Sequence, residues 1–243
     1  MKNQIILITA GCLCMTLAAC SGRQGATGSG ATETLTADQT KAKSQMAAQM
    51  QAAKQTAQTY HAMDTPTLLN KLADQSVAQQ EPFNSLAFRE LKTRTDVDSK
   101  AMVALVNQHK DASGLLPLLL LRRLDNKTYL TVPVEERAGI LTGALKSSKY
   151  FNTWGIPNFN LEEASNALIE TGRTAEPALK EMLRDTRPAP VFGSQEYMIY
   201  KQYQFRVCDY ALMFLKRIDG DNAFRLPVTV AERDAIVKQV GTK

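Results

Sequence analysis

Apolar positions recur at three- and four-residue spacing through most of the chain, which predicts helices separated by short polar breaks. Leu68, Leu69 and Leu72 follow Thr65-Pro66, a helix start with proline in its first turn. Pro82 opens a segment carrying Phe83, Leu86 and Leu91. Met102, Val103, Leu105 and Val106 follow the cap candidate Asp98. Ser113 caps the next helix, whose run from Leu115 to Leu124 is so apolar that it must be buried nearly all round. Asn160 and Glu163 have capping-box spacing ahead of Leu161, Ala164, Leu168 and Ile169. Gly172 ends that helix, and another runs from near Thr174 through Leu179, Met182 and Leu183. Two prolines, Pro188 and Pro190, between Arg184 and Gly193 mark a loop. A long helix is expected from about Ser194 to Ile218, and a last one from the Thr229–Glu232 capping box through Ile236 and Val240. No stretch alternates convincingly enough to be a strand, so the expected fold class is all-α.

The opening of the chain departs from this pattern. Lys2, the apolar run from Ile5 and the small-residue close at Leu17-Ala18-Ala19-Cys20 form the charged start, greasy middle and cleavage site of a secretory signal. The run is about 15 residues, short of the roughly 20 that a spanning helix needs. Residues 21–35 are mostly Gly, Ser, Thr and Ala and read as a flexible tether, with a reach of about 20 Å. The Ala-, Gln- and Lys-rich stretch from Thr36 to Tyr60 offers only Met46, Met50 and Ala53 as an apolar stripe and predicts an exposed helix without coiled-coil heptads. The expected boundaries are a signal at 1–19, Cys20 and linker over 20–35, an exposed helix at 36–62 and a helical domain at 63–243.

Leu17-Ala18-Ala19-Cys20 resembles the lipobox of bacterial lipoproteins. The resemblance implies cleavage before Cys20, acylation of its thiol and new amine, and anchorage to a membrane through Cys20. Two or three acyl chains hold firmly where one is reversible. In Gram-negative lipoproteins an aspartate after the cysteine retains the protein at the inner membrane, so Ser21 implies the outer membrane, with the domain facing the periplasm. A second resemblance lies further on. Ala167 to Gly172, then Ala175-Glu176-Pro177-Ala178-Leu179, then Met182-Leu183-Arg184-Asp185 is similar to a HEAT repeat: helix, glycine turn, proline-started second helix, closing aspartate. It implies an α-solenoid of stacked helical pairs, a binding scaffold that brings no catalytic residues with it. The leucine-rich helix and the insert from Tyr150 to Pro157 depart from that pattern. Two passages also suggest duplication: Leu121 to Asp125 matches Leu215 to Asp219 in type, and Val132 to Arg137 matches Val228 to Arg233. The offset is about 95 residues, two units of the roughly 40–47 of HEAT-type pairs.

Charge and chemistry narrow the function further. The net charge of +5 is spread along the chain, which speaks to solubility rather than to nucleic acid, and export argues the same way. Cys12 and Cys14 leave with the signal and Cys20 is taken by lipid, so Cys208 has no partner for an internal disulfide. Its spacing with Ala211, Leu215 and Ile218 places it on a buried stripe, with a reactive thiol as the other reading. His61 and His109 lack a second ligand at metal spacing, and His109 closes a helix where a cation suits the dipole. Asp219-Gly220-Asp221-Asn222 lacks the acidic positions of a calcium loop and reads as a polar turn. Glu135 and Glu136 form an acidic first turn and diverge by about 100° on a helix. Ser194 lacks a nucleophile elbow. No metal, cofactor or catalytic set is expected, and the chain reads as non-enzymatic.

Contact residues are the remaining candidates. Tyr197, Tyr200 and Tyr203 lead a series continuing through Phe205 and Tyr210, interleaved with Lys201, Gln202, Gln204 and Arg206. Those rings form a partner surface or pack beneath the Pro188–Phe192 loop. Trp154, the only tryptophan, stacks on a sugar or peptide or covers the core. The expected function is a lipid-anchored envelope scaffold or assembly factor that holds a protein partner. The alternative is an envelope enzyme or binding protein acting on peptidoglycan or sugar near Trp154.

Overall fold

The computed structural model describes residues 37–77 and 85–241, so the signal, Cys20, the tether, Pro82 and Phe83 lie outside the described residues. The chain divides into two compact units, 1–47 and 48–243. Of the first, only the opening turns of α1 (Ala37–His61) are described. Side chains from Asp38 to Thr59 are exposed, as a helix with so few large apolar groups requires.

The second unit is built from α2 (Thr65–Val77), α3 (Leu86–Leu91), α4 (Ser99–Gln108), α5 (Leu115–Leu124), α6 (Asn126–Tyr129), α7 (Val134–Ser147), α8 (Glu163–Glu170), α9 (Glu176–Met182), α10 (Ser194–Tyr203), α11 (Val207–Ile218) and α12 (Val230–Gly241). Among the described residues the fold is all-α apart from one two-residue hairpin. Among the described residues no helix is both long and apolar enough to cross a membrane.

Two helices carry the core. α5 packs against α2, α4 and α7, and Leu116 to Leu121 are all buried. α11 packs against α8, α9 and α12, with every residue from Val207 to Leu215 buried. A buried leucine contributes roughly 1.5–3 kcal/mol, so runs apolar on every side drive the chain to wrap them.

The two matching passages occupy equivalent places. Asp125 and Asp219 follow α5 and α11 as their C-cap residues. Arg137 of α7 and Arg233 of α12 are both buried, and each turns back to a carbonyl five residues earlier. Arg137 Nε donates to the Val132 carbonyl at 3.1 Å and Arg233 Nη1 to that of Val228 at 2.7 Å.

Several helix starts differ from expectation. The Leu86–Leu91 helix is capped by Ser85, whose Oγ accepts the Phe88 N–H at 3.0 Å; the start expected at Pro82 lies outside the described residues. Asp111, rather than Ser113, caps the 3-10 turn Ala112–Gly114 that leads into α5; its Oδ1 accepts the Ser113 N–H at 2.9 Å. Asn160 caps nothing. With Leu161 it forms strand β2 (Asn160–Leu161), paired antiparallel with β1 (Gly155–Ile156). That pairing needs glycine at 155: φ is +78°, and a Cβ there would lie 2.2 Å from the Asn160 carbonyl oxygen.

The long helix expected from Ser194 to Ile218 is two helices, broken where Gln204 adopts a left-handed φ of 52°. The cause is distant in sequence. The Phe205 carbonyl accepts the Ala189 N–H at 2.9 Å, and the Val207 and Cys208 N–H groups donate to the carbonyls of Arg187 and Asp185 at 3.0 and 2.9 Å. The proline loop thereby satisfies amides that open α11 and would otherwise lack partners.

Candidate functional site

No residue of α10 is buried. Tyr197, Tyr200 and Tyr203 recur at intervals of three, so each neighbours the next on the helix surface. Tyr197 is 47% exposed and Met198 64%, with Tyr200 and Tyr203 half-buried. The Tyr197 and Tyr200 rings lie 6.5 Å apart, and Lys201 Nζ sits 5.2 Å from the Tyr197 centroid. Tyr203 stacks on Phe205 at 4.9 Å and meets the exposed Phe159 edge-on at 5.7 Å. Just before α10, the exposed rings of Tyr150 and Phe192 are 4.2 Å apart. Asn152 holds this loop, accepting the Phe192 N–H and donating to its carbonyl, each at 2.8 Å.

Behind the face, rings continue into the core. Phe205 lies 6.4 Å from Tyr210, which meets Phe151 at 4.8 Å and Phe214 at 6.2 Å. Phe214 lies 6.2 Å from Trp154. The aromatic series read as one set therefore splits at Gln204, with three tyrosines on the surface helix and Phe205 and Tyr210 inside.

Trp154 corrects the expectation of a stacking residue. It is fully buried, its Nε1 donates to Ser148 Oγ at 2.9 Å, and its carbonyl accepts from the Glu162 N–H at 3.2 Å and Ser165 Oγ at 2.5 Å. Its ring is core and offers no open face to a sugar.

An ionic cluster fixes the end of α10. Asp209 and Arg233 are fully buried, with Arg233 Nε 3.0 Å from Asp209 Oδ1, off the line of a hydrogen bond. Arg206 Nη2 lies 3.1 Å from Asp209 Oδ1 and 2.7 Å from Asp234 Oδ1. Burial pulls the Arg206 guanidinium down, but its bonds to Asp209 and Asp234 outweigh that and hold it above its ordinary range. Arg233 Nη2 donates to the Tyr203 carbonyl at 2.7 Å, and its Nη1 to Pro227 at 3.0 Å, tying α12 to the last residue of α10. Sequence reasoning missed this role of Arg233; its one signal was the match between Val228–Arg233 and Val132–Arg137.

The other candidates are separate local devices. Cys208 is buried and free, and desolvation, reinforced by Asp209, pushes its thiol up to about 12, which removes the reactive-thiol reading. His61 Nδ1 is 3.0 Å from Glu90 Oε1, and His109, the C-cap of α4, lies 3.0 Å from Ser113 Oγ. Asp221 Oδ1 accepts the Phe224 N–H at 3.0 Å within the turn after α11. Glu136 in the first turn of α7 pairs with Lys110 at 2.6 Å. Among the described residues no cluster of three or more His, Cys, Asp or Glu could hold a metal ion. No family model matches the chain, and no curated protein or solved structure matches it.

Proposed function

We propose that the chain is a lipid-anchored envelope protein, acylated at Cys20 and held at the outer membrane facing the periplasm, that acts as a non-catalytic scaffold for a protein partner. Its domain is a HEAT-like array of helical pairs, a reading supported by α5 and α11 each packing among several neighbouring helices. The observation that carries the function is the α10 face, where Tyr197 and Met198 are exposed beside half-buried Tyr200 and Tyr203. Amphipathic rings with few rotatable bonds favour protein contact at low entropic cost. The alternative, action on peptidoglycan or sugar through Trp154, loses support because that indole is enclosed. A photo-crosslinking amino acid at Tyr197 of the full chain in intact cells should give one discrete protein adduct. The same probe at Leu130, which is 58% exposed elsewhere, should give none; adducts of equal yield at both positions would overturn the reading.

A further inference from the structure

The two matching passages differ in what meets their charges. Arg122 and Arg123 lie in the last turn of α5, and Lys216 and Arg217 hold the same places in α11. The equivalence extends to the ring beside them. The Arg122 guanidinium lies 5.9 Å from the Tyr129 centroid, and Lys216 Nζ lies 5.5 Å from that of Phe224. In the first passage α8 neutralises the pair. Arg122 Nη2 meets Glu170 Oε1 at 2.5 Å and Arg123 Nη2 meets Glu163 Oε2 at 2.5 Å, from carboxylates about two helical turns apart.

In the second passage nothing plays the part of α8. Lys216, Arg217 and Arg225 have no ion pair among the described residues. The carboxylates of α12 are engaged elsewhere, Glu232 with Thr229 and Asp234 with Arg206. Arg217 Nη2 and Arg225 Nη1 both donate to the Phe224 carbonyl, at 3.4 and 2.9 Å, so two guanidiniums converge on one oxygen. Burial, and next the Arg225 charge, hold Arg217 below its ordinary range, and Asp221 offsets only part of this. Asp221 Oδ1 is itself taken by the Phe224 N–H at 3.0 Å. Asp219 follows α11 as Asp125 follows α5, where it does not prevent the pairing with α8. Lys216 and Arg217 are half-buried and Arg225 is exposed, so the group is within reach of a partner. The helix dipole accounts for a basic last turn. It does not account for Arg225 set against Arg217 without a counter-charge.

We propose that Lys216, Arg217 and Arg225 dock an acidic helix of a partner protein, one that presents carboxylates two turns apart as α8 presents Glu163 and Glu170. The guanidinium forks suit carboxylates, and the partner's acids relieve the repulsion between the two arginines. This second contact surface does not rest on the α10 face.

A synthetic peptide of residues 160–173, which carries the α8 sequence, is the probe. Fluorescence anisotropy would follow its binding to the full chain at low salt. It should bind saturably, about tenfold more tightly than the same peptide with Glu163→Gln and Glu170→Gln. In the full chain Lys216→Glu should weaken the native peptide about tenfold. A peptide with Glu170→Lys should restore binding to that variant, because Lys216 holds the place of Arg122, which meets Glu170. Absence of saturable binding, equal affinity for the glutamine peptide or failure of this rescue would overturn the proposal. So would displacement of the peptide by an equal concentration of inorganic phosphate, which would mark a simple anion site.

Discussion

Arg233 is a fully buried charge, and its surroundings explain how that is tolerated. One guanidinium lies against Asp209 and donates to the carbonyls of Tyr203, Pro227 and Val228, so its planar fork serves several acceptors at once. Arg233→Ala would leave Asp209 with Arg206 as its remaining counter-charge and free the carbonyls of Tyr203, Gln204, Pro227 and Val228. The expected cost is about 3–5 kcal/mol in urea unfolding, the range for breaking a buried ion pair from one side. Arg233→Lys should recover little of it, since an ammonium lacks the fork. Cys208 makes a different residue-scale prediction. Its thiol is raised from 9.0 to about 12, so the folded state holds its proton where the unfolded state releases it. The contribution to stability is complete below pH 9 and is lost as pH rises from there toward 12. A thiol reagent at pH 8 should leave native protein unlabelled and label it in urea; native labelling at the rate of a free thiol would contradict the burial.

At the scale of elements, the break between α10 and α11 decides where the aromatic face ends. Gln204 sits at a φ of 52°, where a side chain costs roughly 1–2 kcal/mol and glycine costs none. Gln204→Gly should therefore stabilise the fold by up to about 1 kcal/mol, read as a higher urea midpoint with an unchanged slope. The local pattern could not reveal this break, because Ser194 to Ile218 contains neither proline nor glycine. What stops the helix is pairing with residues 185–189 and the Arg233 clamp, both long-range. The same reason hid the hairpin at Gly155 and the burial of Trp154, each set by contacts with neighbouring elements. Some starts governed by nearby residues were legible, although the equally local caps at Ser85 and Asp111 were not. Asp98 accepts the Lys100 N–H at 3.0 Å, and Thr229 with Glu232 closes the last helix start as spaced. The apolar run of α5 announced its burial for the simplest reason, that Leu115 to Leu121 leave no polar face to meet water. Of α11 only the stripe through Cys208, Ala211 and Leu215 was legible. Of the face itself, Tyr197, Tyr200 and Tyr203 were readable, while Phe159, Tyr150 and Phe192 were not, since they reach it from other parts of the chain.

Across the helical unit, the face is backed by the core and not by a loose loop. Ring contacts run from Tyr203 through Phe205, Tyr210 and Phe214 to Trp154, and the clamp from α12 fixes the Tyr203 carbonyl. A surface held in place before contact loses less entropy on binding, which favours a stable partner over weak, promiscuous capture. Anchorage at Cys20 would add to this by confining both proteins to one membrane, raising their effective concentration. The measurement that bears most directly on this account is a crosslinking pull-down of the full acylated chain from intact envelopes, set beside Cys20→Ala and a Tyr197→Ala, Tyr200→Ala variant. The account predicts one defined protein partner, recovered with the native chain, depleted with Cys20→Ala and lost with the tyrosine variant although that variant stays folded. Recovery of bulk lipid and peptidoglycan alone, or of the same partner with the tyrosines removed, would contradict it.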